Sequence, residues 1–262
     1  MLTKRLILVI ASVALLGTSK IIARTQQPRP DEEKAALAIK LLWSADEKEI
    51  ERAKVDLVKL NESAIPGLMT LLRDLIDNPT TPRFVTGREE EGKILWGHPL
   101  DSPGIADKIH EVIINGRLEY DIIEILGELR VEGAIPILVE IMECRMKDNW
   151  LRQRMLPEMI ALGKIGKPAV PALIKSIEEA EEKATSTSTR NPHITEEELQ
   201  VFIRSSIEKR QTRAVIVLGV IGDNSALPVL EKLLEQSNDP NKAMADVRYI
   251  REAIKKIKGS NN

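Results

Sequence analysis

Residues 162–173 read LGKIGKPAVPAL, and residues 57–68 read LVKLNESAIPGL. The two stretches align without a gap and share their order of aliphatic, small and proline positions. The offset between them is 105, which is three times 35. A fixed period of roughly 20 to 50 residues is typical of repeat architectures, so this match decides the fold class before any single motif does.

Two further copies carry one extra residue in the turn: LGEL (126–129) leading to AIPIL (134–138), and LGVI (218–221) leading to ALPVL (226–230). The prolines of the four copies lie at positions 66, 136, 171 and 228, so their successive spacings are 70, 35 and 57. We interpret a spacing of 35 as one unit, 70 as two units, and 57 as one unit plus an insert of 22.

Each copy has a physical interpretation as a helical hairpin. Aliphatic residues at helical spacing end in a small residue that lets the chain turn. The following proline suits the first turn of a second helix, where backbone N–H groups have no acceptor within the helix. A lone hairpin cannot bury its apolar face, so neighbouring units must stack. The sequence therefore predicts an all-α fold of about 10–11 helices.

These stretches resemble HEAT repeats. The segment RAVIVLGVIGD (213–223), followed by ALP (226–228), is similar to the short HEAT-like repeats of the phycobilisome-lyase type. The resemblance is strong over residues 150–175 and 210–236 and fair over 48–75 and 120–143. It implies a right-handed α-α superhelix, a HEAT-like α-solenoid, over residues 31–262.

The composition favours a fold of helices packed on helices and argues against a nucleic-acid binder. Hydrophobic residues make up 43% of the chain and aromatic residues only 3%, so the core must consist of Leu, Ile, Val and Ala. Without residues 1–23, 35 basic residues remain against 40 acidic ones. A general nucleic-acid binder would need a basic surface.

The first residues resemble a secretory signal. Lys4 and Arg5 precede an apolar run, Leu6 to Gly17, which is shorter than the roughly 20 apolar residues of a membrane-spanning helix. We expect a signal peptide over residues 1–23, a linker over 24–30, and a secreted or periplasmic protein. An uncleaved N-terminal membrane anchor is the alternative.

Outside the repeats, two stretches interrupt the predicted helices. Residues 78–103 form an irregular insert where a repeat proline would be due, and residues 184–194 form a flexible, polar insert. After it, Thr195 is expected to open a helix that runs to about Ile221. Pro157 is expected to kink a helix. Further predicted helices span residues 31–43, 45–60, 64–77, 104–115, 118–130, 134–147, 149–165 and 168–183. Another follows the turn of the last copy, over 226–236, and a final helix contains residues 253–258.

Candidate binding residues concentrate in the first insert, which contains Arg83, Phe84, Trp96 and His98 in a chain with two Phe, three Trp and three His. Arg and Trp are favoured as binding anchors. The alternative is that Phe84 and Trp96 only attach the insert to the repeats.

Charge runs are a second candidate signal. Acidic runs cover residues 178–182 and 196–198, and a basic run contains Arg204, Lys209, Arg210 and Arg213. Such runs are usually solvated helix faces, and a surface that matches a charged partner is the alternative.

No chemistry stands out. Cys144 is the single cysteine, which excludes an intramolecular disulfide, and we expect it to be a small buried hydrophobe. His98, His110 and His193 lack the spacing of metal ligands. No nucleophile–base or paired-carboxylate signature is present. We therefore expect no metal, no cofactor and no enzymatic activity.

The sequence favours an exported scaffold that binds a protein or a peptide. One alternative is a lyase-like or enzyme-accessory protein, which the resemblance suggests because the HEAT-like variety includes chromophore lyases. Another is a structural envelope protein tethered to a membrane through residues 6–17.

Overall fold

The computed structural model describes residues 30–77, 88–90, 93–95, 105–144, 156–188, 195–237 and 245–259. Over these ranges the fold is eleven α-helices, which pack against their neighbours, with one short β-hairpin. The predicted all-α class and helix number are thus confirmed for the described ranges. The predicted signal peptide, the linker up to residue 29 and the candidate residues Arg83, Phe84, Trp96 and His98 lie outside them.

The helices are α1 (Pro30–Leu41), α2 (Glu47–Leu60), α3 (Ile65–Asp77), α4 (Ile105–Glu128), α5 (Ile135–Cys144), α6 (Pro157–Ile165), α7 (Val170–Glu178), α8 (Ala180–Ser188), α9 (Glu196–Ile221), α10 (Leu227–Gln236) and α11 (Val247–Gly259). The strands are β1 (Arg88–Glu90) and β2 (Lys93–Leu95), which pair antiparallel with Arg88 opposite Leu95. This hairpin falls within the irregular insert, where we expected no regular element.

The four sequence copies fold into the same local structure. In each, a 3-10 turn links two helices: Asn61–Ser63, Glu132–Ala134, Lys167–Ala169 and Asn224–Ala226. The repeat proline is then the second residue of α3, α5, α7 or α10, as predicted. A fully buried alanine ends each turn or directly follows it: Ala64, Ala134, Ala169 and Ala226. A larger side chain there would hold the two helices of the hairpin apart.

Corresponding helices of successive hairpins contact one another. The first helices pack in the order α2, α4, α6, α9 and α11, and the second helices α5 and α7 pack side by side. Arg73 of α3 reaches Glu140 of α5 in an ion pair of 3.1 Å. One apolar core runs through the stack, from Ala35 at one end to Ile257 at the other.

Two glycines set the closest helix approaches. A Cβ on Gly127 of α4 would lie 2.8 Å from Cα of Ala161 of α6, and one on Gly219 of α9 would lie 2.9 Å from Cα of Ala253 of α11. The separation along the chain is the same in both pairs and is close to one repeat unit. The small residues of the repeat therefore allow backbone-to-backbone packing between the first helices.

Some predicted boundaries are wrong. We expected two helices around Gly116, but α4 is continuous over 24 residues. Pro157 does not kink a helix; it begins α6, preceded by Leu156 in the extended conformation that residues before proline favour. The helix predicted over 45–60 begins two residues later, at Glu47, and its capping residue is Asp46, which accepts a hydrogen bond from the Lys48 N–H.

The chain between Pro171 and Pro228 is mainly helical over the residues that the structure describes. The chain turns at Glu179, so the predicted helix over 168–183 is split into α7 and α8, and residues 184–188 of the expected polar insert belong to α8. The predicted start of α9 is confirmed, since Thr195 and Glu198 form a reciprocal capping box. The helix continues to Ile221, also as expected.

Helix α8 packs on the first half of α9, residues 196–210, and we call this pair the arm. The arm has a small apolar cluster of its own, Ala180, Ala184 and Ile207 with Ile203, which is separate from the main core. Among the described helices, none is both long and apolar enough to cross a membrane.

Candidate functional site

A groove of about 510 Å³ lies between the arm and the second helices α7 and α10. This volume is within the range of pockets that bury small ligands, roughly 300 to 1,000 Å³. The lining residues are Ile177, Glu178, Glu181, Thr185, Gln200, Ile203, Arg204, Ile207, Gln211, Val229, Lys232, Leu233 and Gln236.

Helical spacing explains why these residues share the groove. On α9 they recur at positions 200, 203, 204, 207 and 211, which form one face of a helix, and on α10 at 229, 232, 233 and 236. Ile177, Ile207 and Leu233 are buried at the base. The groove therefore has an aliphatic floor between two helix faces.

Four charged side chains stand around this floor. Glu178 of α7 and Glu181 of α8 are acidic, while Arg204 of α9 and Lys232 of α10 are basic, and all four residues are exposed. No ion pair joins any of them to another residue in the described part of the chain. Charges of both signs thus face the groove without neutralising each other.

Glutamines supply hydrogen-bonding groups. Gln211 is committed to the fold, because its amide donates to the Ile177 carbonyl at 3.4 Å and its oxygen accepts from the Ala245 N–H at 3.0 Å. Gln200 donates to Glu196 at 2.9 Å and also lines the groove. Gln236 lines the opposite side, at the end of α10.

A buried carboxylate ties the arm to the stack. Glu143 of α5 accepts a hydrogen bond from the Ser176 hydroxyl of α7 at 2.7 Å. It also accepts from Lys183 of α8 and from Arg210 of α9, each at 3.0 Å. The side chains of Glu143 and Arg210 are each only 7% exposed. Arg213 adds a hydrogen bond from its guanidinium to the Met142 carbonyl. Charged contacts therefore position one wall of the groove.

A second polar cluster lies far from the groove, between α2 and α4. Lys54 pairs with Glu124 at 2.6 Å and with Asp121 at 3.4 Å. Burial opposes the charge of Lys54, but hydrogen bonds to Glu124 and Glu51 and the nearby Asp121 outweigh it and hold the pKa of the ammonium above its ordinary value. Burial raises the pKa of Asp121, and the attraction of Lys54 only partly offsets this.

The structure places the candidate residues from the sequence in three different situations. The first insert's four residues, together with His193, lie outside the described ranges, while His110 falls within α4 and Cys144 ends α5. Within those ranges, no group of His, Cys, Asp and Glu residues could hold a metal ion. The charge runs proved informative: Glu178, Glu181 and Arg204 line the groove, whereas Arg210 is buried against Glu143.

Sequence reasoning missed the groove as a site. Lys232, Gln200, Gln236 and the aliphatic floor were not among the candidates. The spacing of Ile203 and Ile207 after an acidic helix start was the available signal, because it places two apolar residues on one face of a charged helix segment.

Comparison with known proteins gives no relative: no family model, curated protein or solved structure matches the chain.

Proposed function

We propose that this chain is an exported, non-enzymatic scaffold of HEAT-like repeats that binds a segment of another protein in the groove between the arm and helices α7 and α10. The observation that carries the proposal is the groove itself. It combines an aliphatic floor with four exposed charges that make no ion pair within the described part of the chain.

The position of the groove supports a binding role. The arm is the main addition to the repeat among the described helices, and it builds one wall of the groove without joining the main core. Stacked repeats commonly present extended surfaces to partners, and inserts between repeats add to one face. Because Glu143 anchors the arm through Lys183 and Arg210, the groove wall that the arm forms has a defined position for a partner to contact.

Export is the second part of the proposal. It rests on Lys4, Arg5 and the short apolar run that follows them. N-terminal sequencing of the chain purified from its host tests this part. A new N-terminus near Arg24 is expected, whereas an intact Met1 on protein recovered from the cytosol would contradict export.

Site-specific photo-crosslinking in the host tests the binding site. A benzoylphenylalanine at Gln200 or at Lys232 is expected to capture the same partner, since both line the groove from different helices. The matched control is Leu37 of α1, which is 62% exposed and does not line the groove. A probe at Trp96 tests whether the first insert also contributes. Equal capture from Leu37 and from both groove positions would contradict a role for the groove.

A further inference from the structure

We infer that the groove selects an extended stretch of about three residues in which an aliphatic side chain lies between a basic and an acidic one. This inference rests on the proposed function and specifies its ligand.

Size favours an extended chain over a helix. An extended residue occupies about 160 Å³, from a rise of about 3.3 Å, a strand spacing of about 4.8 Å and a sheet spacing of about 10 Å. The groove of about 510 Å³ therefore holds about three such residues. Two turns of an α-helix about 10 Å wide occupy about 850 Å³, which is more than this groove encloses.

Charge specifies the two outer positions. Glu178 and Glu181 belong to α7 and α8, whereas Arg204 and Lys232 belong to α9 and α10. A peptide with a base and an acid can neutralise both pairs, while a peptide of one sign meets repulsion from one of them. Such arrangements produce specificity by penalising the wrong partner as well as by attracting the right one.

The floor specifies the central position. Ile177, Ile207 and Leu233 are buried, and Ile203 is half-buried. Together with the half-buried Val229, Ile203 offers the accessible aliphatic carbon of this floor to a side chain that enters the groove. A leucine or isoleucine would lose apolar surface to this patch, and a serine would instead lose hydrogen bonds to water.

The carboxamides suit a peptide backbone. A glutamine side chain carries both a donor and an acceptor, as each peptide unit does. Gln200 and Gln236 lie on opposite sides of the floor, on α9 and α10. They can satisfy backbone N–H and C=O groups of an extended segment, which otherwise lose water when the segment enters the groove.

Binding of defined peptides tests the inference. The probes are capped, fluorescent heptapeptides with a central Lys-Leu-Glu or Glu-Leu-Lys flanked by glycine and serine. Controls replace the centre with Lys-Leu-Lys, Glu-Leu-Glu or Lys-Ser-Glu. We expect one of the two mixed-charge orders to bind the purified chain at least tenfold more tightly than every control, measured by fluorescence anisotropy. Equal binding of all five peptides, or of none, would overturn the inference.

Charge reversal makes the test specific to the groove. The double variant Arg204→Glu, Lys232→Glu should prefer Lys-Leu-Lys, and Glu178→Lys, Glu181→Lys should prefer Glu-Leu-Glu. All four positions are exposed, so the melting temperature is expected to stay within a few degrees of the parent. The control Arg251→Glu, Lys255→Glu changes the same number of exposed charges on α11 and should leave the preference unchanged. A preference that no groove variant alters would overturn the ligand class. If photo-crosslinks from Gln200 and Lys232 still capture a partner, only the ligand class is wrong. If those crosslinks are also absent, the proposed binding function is wrong as well.

Discussion

At the level of single residues, Asp121 shows how burial and pairing compete. The carboxyl of this α4 residue lies 3.4 Å from the Lys54 ammonium, yet burial raises its pKa in spite of that partner. The ionised carboxylate is therefore less favourable in the folded state than in the unfolded chain. An ion pair seen in a structure need not stabilise the fold.

This balance predicts the effect of Asp121→Asn. A group whose folded pKa is raised contributes stability below its unfolded pKa and loses it as the pH rises through the folded value. The parent should lose this contribution as the pH rises from about 3.8, the ordinary pKa of the group, and the variant should not. We therefore expect the variant to have a higher urea midpoint than the parent at pH 7. Below about pH 3.8, where the Asp121 carboxyl is protonated in both the folded and the unfolded parent, the two midpoints should be the same. A lower midpoint at pH 7 would show that Asp121 is a net stabiliser.

At the level of helices, close packing depends on Gly127 and Gly219. Their missing Cβ atoms would lie within 3 Å of the backbone of Ala161 and Ala253. Either Gly→Ala substitution should lower the free energy of unfolding by about 1–2 kcal/mol, because overpacking exceeds the gain in helix propensity. Gly116→Ala is the control: no atom lies within 4 Å of its Cβ position, so it should stabilise α4 by about 0.5–1 kcal/mol. Urea denaturation measures all three, and three equal changes would contradict the packing argument.

The arm is the helical unit most dependent on one residue. Glu143→Gln weakens the hydrogen bonds to Lys183 and leaves the Arg210 guanidinium buried without an opposite charge. Removal of one partner from a buried pair costs about 3 kcal/mol or more. We expect faster hydrogen exchange in α8 and in residues 196–210, with little change in α6.

Glu140→Gln is the matched control for that variant. It lies on the same helix and removes the pair with Arg73, whose two side chains are about half exposed. Exposed pairs contribute between about 0 and 1 kcal/mol, so exchange in the arm should not change. Equal effects of Glu140→Gln and Glu143→Gln on the arm would show that Glu143 does not hold it.

The helices also show which features the sequence could predict. The turn before each repeat proline and the start of α9 at Thr195 depend on residues a few positions apart, and both are confirmed. The expected break at Gly116 was wrong because packing can override the low helix propensity of one glycine. The groove could not be predicted, since its lining comes from four helices between residues 177 and 236. Likewise, Glu143 and Arg210 are 67 residues apart.

At the level of the whole molecule, the packing order of the helices bears on how stability is distributed. The first helices contact their immediate neighbours in the order α2, α4, α6, α9 and α11, although one apolar core spans the stack. In the proposed repeat architecture, stability is approximately a sum over units and their interfaces. A destabilising substitution at one end of the chain should then affect the stability of that end and not of the other.

Substitutions at the two ends test this expectation. Leu42 follows α1 and Ile257 lies in α11, and both are fully buried. Replacement of either by alanine should cost about 2–5 kcal/mol locally, from lost burial and the cavity that remains. Hydrogen exchange should quicken in α1 to α3 for Leu42→Ala and in α9 to α11 for Ile257→Ala, and the double variant should show the sum of both patterns because distant sites are independent. If Leu42→Ala quickens exchange equally in α11, the chain unfolds as one cooperative unit, and the additive stack must be abandoned.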